Sequence, residues 1–141
     1  MKLANAPAWA LELLELERVG RLAYVDSNDR PRVLPITFCV FEGGVWSAVD
    51  DKPKRAPEPA RVRYLRRRPD AAVVVDVYDD DWSRLRWVQL TGTVEVVAAD
   101  DGEDALNALA AKYPQYAEHR PPGPLLRLEV EQVLCWRADE P

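Results

Sequence analysis

Val88-Gln-Leu-Thr-Gly-Thr-Val-Glu-Val96 alternates without a break: Val88, Leu90, Gly92, Val94 and Val96 fall on one face, and Gln89, Thr91, Thr93 and Glu95 on the other. Successive side chains of an extended chain point to opposite faces, so this spelling predicts a strand with one buried and one polar face. Gly92 offers the apolar face nothing to pack, which predicts a bulge or a close backbone approach there. Just upstream, Ala71-Ala-Val-Val-Val-Asp-Val-Tyr78 is rich in β-branched residues and stops at Asp79-Asp80-Asp81, the pattern of a buried central strand and a turn. Downstream, Leu126, Leu128, Val130, Leu134 and Trp136 alternate with Arg127, Glu129, Glu131 and Arg137, predicting a final half-buried strand.

The N-terminal half extends this β reading. Pro7 followed by Ala-Trp-Ala-Leu-Glu-Leu-Leu-Glu-Leu-Glu17 predicts an opening helix that Gly20 ends. Arg21 to Asp26, Arg32 to Phe41 and Val45 to Val49 read as three strands, the last two joined across Glu42-Gly43-Gly44, and together predict an antiparallel meander. Asp50 to Pro59 holds three prolines and predicts a loop. Ala60 to about Arg68 predicts a short helix with Val62 and Leu65 on one side, and Asp100 to Tyr113 an amphipathic helix closed by Pro114. About six antiparallel strands and three helices follow, a mainly β chain whose residues 1–141 form one domain.

Composition narrows the function classes. The chain is 48% hydrophobic and 30% charged, a balance that folds. The N-terminus lacks the apolar core of a signal peptide, and no apolar run approaches the ~20 residues of a membrane span, so a cytoplasmic protein is expected. Cys39 and Cys135 lie too far apart for a paired-cysteine motif and read as reduced buried thiols; with His119 the only histidine, a zinc enzyme is not expected. Neither a nucleophile elbow nor a phosphate-binding glycine loop is present, so any chemistry belongs to a bound cofactor. Asp76, Asp79, Asp80 and Asp81 lack the glycine and the following glutamate of a calcium loop and read as a solvated turn.

Charge is unevenly placed. The whole chain carries −5, yet Lys52 to Arg68 holds eight basic side chains against Glu58 alone. That local +7 points to an anionic ligand, because a nucleic-acid surface would be basic over much of the domain. Lys54 and Arg55 lie where a strand ends and a helix opens and are the first candidates for holding a phosphate, with Lys52 beside them. Arg61, Arg63, Arg66, Arg67 and Arg68 read as a solvated helix face. Trp82 and Trp87 bracket the acidic turn and offer flat rings to a ligand or a second copy of the chain.

Four stretches carry a family resemblance: Arg18-Val-Gly-Arg-Leu-Ala-Tyr-Val-Asp26, Arg30-Pro-Arg-Val-Leu-Pro-Ile-Thr37, Val45-Trp-Ser-Ala-Val-Asp-Asp-Lys-Pro-Lys-Arg55, and Asp76-Val-Tyr-Asp-Asp-Asp-Trp82 through Leu85-Arg-Trp-Val88. Together they resemble the pyridoxamine-phosphate-oxidase-like, coenzyme F420-dependent oxidoreductases of actinobacteria, over about residue 9 to Arg137. The resemblance implies a split β-barrel of the FMN-binding type, a homodimer with two cofactor sites at its interface. It implies cofactor phosphate on Lys54 and Arg55 and ring contacts from Pro35, Ile36, Thr37, Ser47, Ala48 and Val49. Trp87 and Gln89 would approach from the partner subunit, and Tyr78 and Trp82 would face the substrate.

The implied activity is hydride transfer between the deazaflavin and a small organic substrate. F420 ranks above FMN because its phosphodiester and glutamate tail carry more negative charge, matching the +7 segment. The alternatives are an FMN-dependent oxidoreductase and a non-catalytic flavin- or tetrapyrrole-binding protein. Ala56-Pro57-Glu58-Pro59 departs from the family pattern: its two prolines remove backbone donors, and Glu58 is expected to oppose a phosphate.

Overall fold

The computed structural model describes residues 1–49 and 58–139. A 3₁₀ turn at Leu3–Asn5 precedes helix α1 (Ala8–Leu16). Four strands follow, β1 (Gly20–Val25), β2 (Pro31–Ile36), β3 (Cys39–Phe41) and β4 (Gly44–Ala48). Next come α2 (Ala60–Arg67), β5 (Asp70–Val77), β6 (Arg86–Val97), α3 (Glu103–Lys112), α4 (Pro114–Glu118) and β7 (Leu125–Arg137). The seven strands form one sheet in the order β2-β1-β5-β6-β7-β4-β3, with every pair antiparallel.

That order dictates a barrel. The outermost strands β2 and β3 are joined only by Thr37 and Phe38. Laid flat, seven strands at about 4.8 Å spacing would hold them nearly 29 Å apart, whereas three Cα–Cα steps span at most about 11 Å. The sheet therefore curls until its edges meet, and because β2 and β3 do not pair with each other a seam remains: the architecture of a split barrel. The core inside it is built from Leu22, Val73, Val75, Val88, Leu90 and Val133 with Leu13 and Leu14 of α1 and Val62 and Leu65 of α2. A second apolar cluster joins Trp46 and Leu125 to Leu106, Leu109, Tyr113 and Tyr116 of α3 and α4.

This geometry revises the expected meander. The single strand read from Arg32 to Phe41 is two strands, β2 pairing with β1 and β3 with β4, at opposite ends of the sheet. The break falls at Phe38, whose ring is fully buried and whose amide donates to the Tyr113 hydroxyl at 3.0 Å instead of to a neighbouring strand. Seven strands rather than about six result. Gly20 does not end the first helix, which stops at Leu16; it opens β1 beneath the Phe38 ring and Val73, each 3.2 Å from where a Cβ would stand. Pro114, expected to close a helix, also starts α4 as its first residue, where its missing N–H costs nothing.

Gly92 is both bulge and close approach. Opposite it, β7 carries one extra residue: Thr91 faces Gln132, while Gly92 faces Val130. The shift inverts the alternation of β7 beyond Glu131. Val133 is therefore buried, and Leu134 and Trp136, expected inside, stand 47% and 45% exposed on the outer face.

The turn between β1 and β2 is organised by Asp26, whose side chain is only 2% exposed. Its Oδ1 accepts from the amides of Asn28 at 2.8 Å and Arg30 at 3.1 Å, and its Oδ2 from Arg32 Nε at 2.9 Å. The Arg32 guanidinium, then the Arg30 amide, hold its carboxyl below the usual range. A depressed folded pKa means stability present above the unfolded value of about 3.9 and lost as pH falls through the folded one. Asp26→Asn is accordingly expected to lower the urea midpoint at pH 7, with the gap to the parent protein closing below about pH 4; an unchanged gap at pH 3 would exclude this role.

Candidate cofactor-binding site

At the seam, a cavity of about 260 Å³ is lined by Val19, Leu34, Pro35, Ile36, Thr37, Ser47, Ala48 and Arg61. The fold brings four separate pieces of sequence to it: Val19 just before β1, the end of β2 with its corner, the end of β4, and the first turn of α2. Five of the residues expected to contact a ring, Pro35, Ile36, Thr37, Ser47 and Ala48, meet here. Val49 does not line this cavity; its side chain belongs to the barrel core, and its amide donates to the Pro124 carbonyl at 3.1 Å.

The walls are tied to one another. Ser47 Oγ donates to the Thr37 carbonyl at 2.7 Å, and Thr37 Oγ1 lies 2.6 Å from the Tyr116 hydroxyl. The Tyr113 hydroxyl, besides accepting from the Phe38 amide, lies 3.0 Å from the Phe38 carbonyl and 2.8 Å from that of Arg18. Two tyrosines of the α3–α4 layer thus clamp the corner between β2 and β3. Because β2 pairs with β1 alone, alternate backbone groups of that strand remain outside the ladder at the seam. A heteroaromatic ring with polar edges suits such a wall.

Arg61 corrects the reading of the arginine helix. Instead of joining a solvated face with Arg63, Arg66, Arg67 and Arg68, it is half-buried at the cavity wall. Its Nε is buried with no hydrogen-bond partner among the described residues. A charged donor left so inside a protein is costly unless an acceptor arrives, so the cradle fits an anionic group. The sequence carried a weak signal: Arg61 precedes Val62 and stands four residues before Leu65, hence on the inner side of the helix. The Glu58 carboxylate is paired with Arg66 at 2.7 Å and held below its usual range by that guanidinium. Lys52, Lys54, Arg55 and Pro57 lie outside the described residues.

The remaining candidates lie elsewhere. Trp87 and Gln89 sit on the outer face of the sheet around a shallow hollow shared with Arg21, Val74 and Asp76. Register aligns Arg21, Val74, Gln89 and Leu134 in one row across four strands, and Asp76, Trp87 and Trp136 in the next. Tyr78 and Trp82 are 69% and 68% exposed near the acidic turn. In that turn Asp81 accepts from the Ser83 amide and hydroxyl at 3.1 and 2.7 Å, capping a 3₁₀ turn, while Asp76 pairs with Arg21 at 2.9 Å. Cys39 is buried and Cys135 half-buried, and neither forms a disulfide among the described residues.

A curled seven-stranded sheet with a polar-walled cavity at its seam defines a split-barrel protein. The chain matches the pyridoxamine 5'-phosphate oxidase family over residues 7–137 and belongs to it. Solved structures share the fold. The conserved hypothetical protein Rv2991 from Mycobacterium tuberculosis is 17% identical with a TM-score of 0.77, the match covering 98% of this chain and 90% of that one. An FAD-binding protein from Mesorhizobium loti is 20% identical with a TM-score of 0.66, covering 92% and 94%. An FAD and heme binding protein from Mycobacterium smegmatis is 21% identical with a TM-score of 0.72, covering 96% and 72%. No curated protein matches the chain. Among the described residues no helix is long and apolar enough to cross a membrane.

Proposed function

We propose that this protein is an oxidoreductase that binds coenzyme F420 at the barrel seam and acts on a small organic substrate. The observation that carries the reading is Arg61: a half-buried guanidinium whose Nε is buried without a hydrogen-bond partner among the described residues, at the wall of the cavity where Pro35–Thr37 and Ser47–Ala48 converge. Lys52, Lys54 and Arg55 follow β4 directly in sequence and precede α2, so the chain's densest positive charge leads into the helix that carries Arg61. The strong anionic character of F420 favours it over FMN on this ground. When bound, such a cofactor supplies hydride transfer. The chain's own part would be to hold and orient it: the backbone of Pro35 to Thr37 with Ser47 and Ala48 would position the ring, and the cations would hold its anionic groups.

The same reading makes the working form a homodimer. Leu134 and Trp136 are 47% and 45% exposed on the sheet's outer face, next to Gln89 and Trp87 of β6, a partly apolar patch suited to a second copy. That copy would bring Trp87 and Gln89 toward the cofactor, with Tyr78 and Trp82 on the substrate side. A second reading, FAD or FMN as cofactor, is favoured by the FAD-binding proteins that share the fold. Heme is less well served, because among the described residues none that lines the seam cavity offers an imidazole or sulfur ligand.

Fluorescence titration with F420, FMN and FAD, with Lys54→Ala and Arg55→Ala proteins alongside, tests the proposal. F420 is expected to bind most tightly and both variants to weaken it. Preference for FMN or FAD would make this a flavoprotein, and binding of none of them would overturn the assignment. Sedimentation should give a dimer that Leu134→Glu dissociates.

A further inference from the structure

We propose a second ligand site, for an amphipathic carboxylate with a hydrocarbon body, in the groove between α1, β3 and the last turn of α3. The groove encloses about 650 Å³, within the range of small-molecule sites. Leu11, Leu14, Leu16 and Val40 form its apolar walls, and Lys112 and Arg18 bring positive charge against a single lining acid, Glu15. Leu11, Leu16 and Val40 are 39%, 61% and 36% exposed. Three large aliphatic side chains around one opening therefore remain in water, and a hydrocarbon chain laid over them would remove that contact.

Lys112 decides the sign of the ligand. Its Nζ donates to the Leu14 carbonyl at 3.0 Å and stands 3.9 Å from the centroid of the Phe38 ring. An ammonium has three donors, and the Leu14 carbonyl takes one of them beside an apolar wall. Burial lowers the affinity of this amine for its proton to a pKa of about 8 and raises the neighbouring Cys39 thiol to about 11, so the thiol adds no negative charge at neutral pH. Arg18 donates to the Lys112 carbonyl and lies over the Tyr113 ring. Glu15 and Glu17 act on Lys112 from a distance, and a carboxylate in direct contact with its ammonium would add a charge-assisted pair in a half-desolvated place, where such a pair is stronger than in water. A cationic amphiphile would meet the same walls with the wrong sign.

This groove is distinct from the seam cavity. Thr37 lines one and Cys39 the other, on either side of the buried Phe38.

The test uses the protein without cofactor. Calorimetric titration with decanoate and with decyltrimethylammonium, both kept below micelle-forming concentration, compares equal tails of opposite charge. Decanoate is expected to bind at least about tenfold more tightly, as one charge-assisted contact predicts. Leu16→Glu alters an exposed residue and should weaken decanoate about as much; Lys112→Met should do the same. Because Lys112→Met also loses the bond to Leu14, its thermal midpoint is recorded, and carbon NMR of the Lys112 side chain in the parent protein gives an independent readout, its pKa rising on saturation with decanoate. Equal affinity for the two amphiphiles, no binding of decanoate, or an unshifted Lys112 would overturn the proposal. So would loss of the dimer in Leu16→Glu, which would make the groove an interface between copies. None of these outcomes bears on the seam cofactor.

Discussion

Gly92→Ala is expected to lower folding stability by about 3 kcal/mol or more, at the upper end for overpacking a closed interior, and to leave little soluble protein. A Cβ on Gly92 would stand 1.8 Å from the Glu129 carbonyl oxygen and 2.9 Å from its carbon. Both are backbone atoms of the strand paired to β6, so no rotamer change relieves the clash. Relief would require β7 to move away at the bulge, with loss of the register that buries Val133. Gly43→Ala is the control: its φ of +73° is unfavourable to alanine, but no atom lies within 4 Å of the new methyl, and about 1 kcal/mol is expected. Equilibrium urea denaturation of the two variants distinguishes steric exclusion from backbone conformation. Equal costs would remove close approach as the reason for glycine at 92.

Arg61→Ala is expected to weaken cofactor binding by about tenfold to a hundredfold, the range for one charged hydrogen bond to an anion. Folding stability should hold or rise slightly, because truncation deletes a buried donor that finds no partner among the described residues. This pairing of effects is diagnostic: a structural arginine would show the opposite, loss of stability with affinity preserved. Arg61→Lys keeps the charge and lacks the planar fork, so its affinity should fall between the two. Binding titrations and thermal midpoints on the same three proteins are sufficient. Parent-like affinity in Arg61→Ala would remove Arg61 from the site and with it the chief support for an anionic cofactor at the seam.

Much of the fold is legible in the sequence. The alternation from Val88 to Val96 is β6, the β-branched run from Ala71 is β5, and Val62 with Leu65 marks the inner side of α2. These are one-dimensional signals, written by the period at which a side chain returns to the same face. The two-residue turn at Glu42 and Gly43, both at positive φ, was equally local. The family resemblance carried further, because Pro35–Thr37 and Ser47–Ala48, named on it, do share one cavity.

Partner choice is where local reading stopped. Alternation is identical whichever strand lies alongside, so nothing between Arg32 and Phe41 announces that the chain leaves one end of the sheet and joins the other; Phe38 buried under Tyr113 does that, across 75 residues of sequence. An extra residue at Glu131 is likewise invisible until β6 is set against β7, and it alone turns Leu134 and Trp136 outward. Arg61 belonged to a run of arginines by composition, and beyond its weak spacing signal it was set apart from them when α2 packed against the seam. The sequence by itself determined which segments are strands, which faces are apolar and where charge is concentrated, since each depends on neighbours along the chain. Only the tertiary structure decided which edges meet, which arginine lines a cavity and where the cavities open, because those depend on contacts between segments whose separation in sequence carries no record of their distance in space.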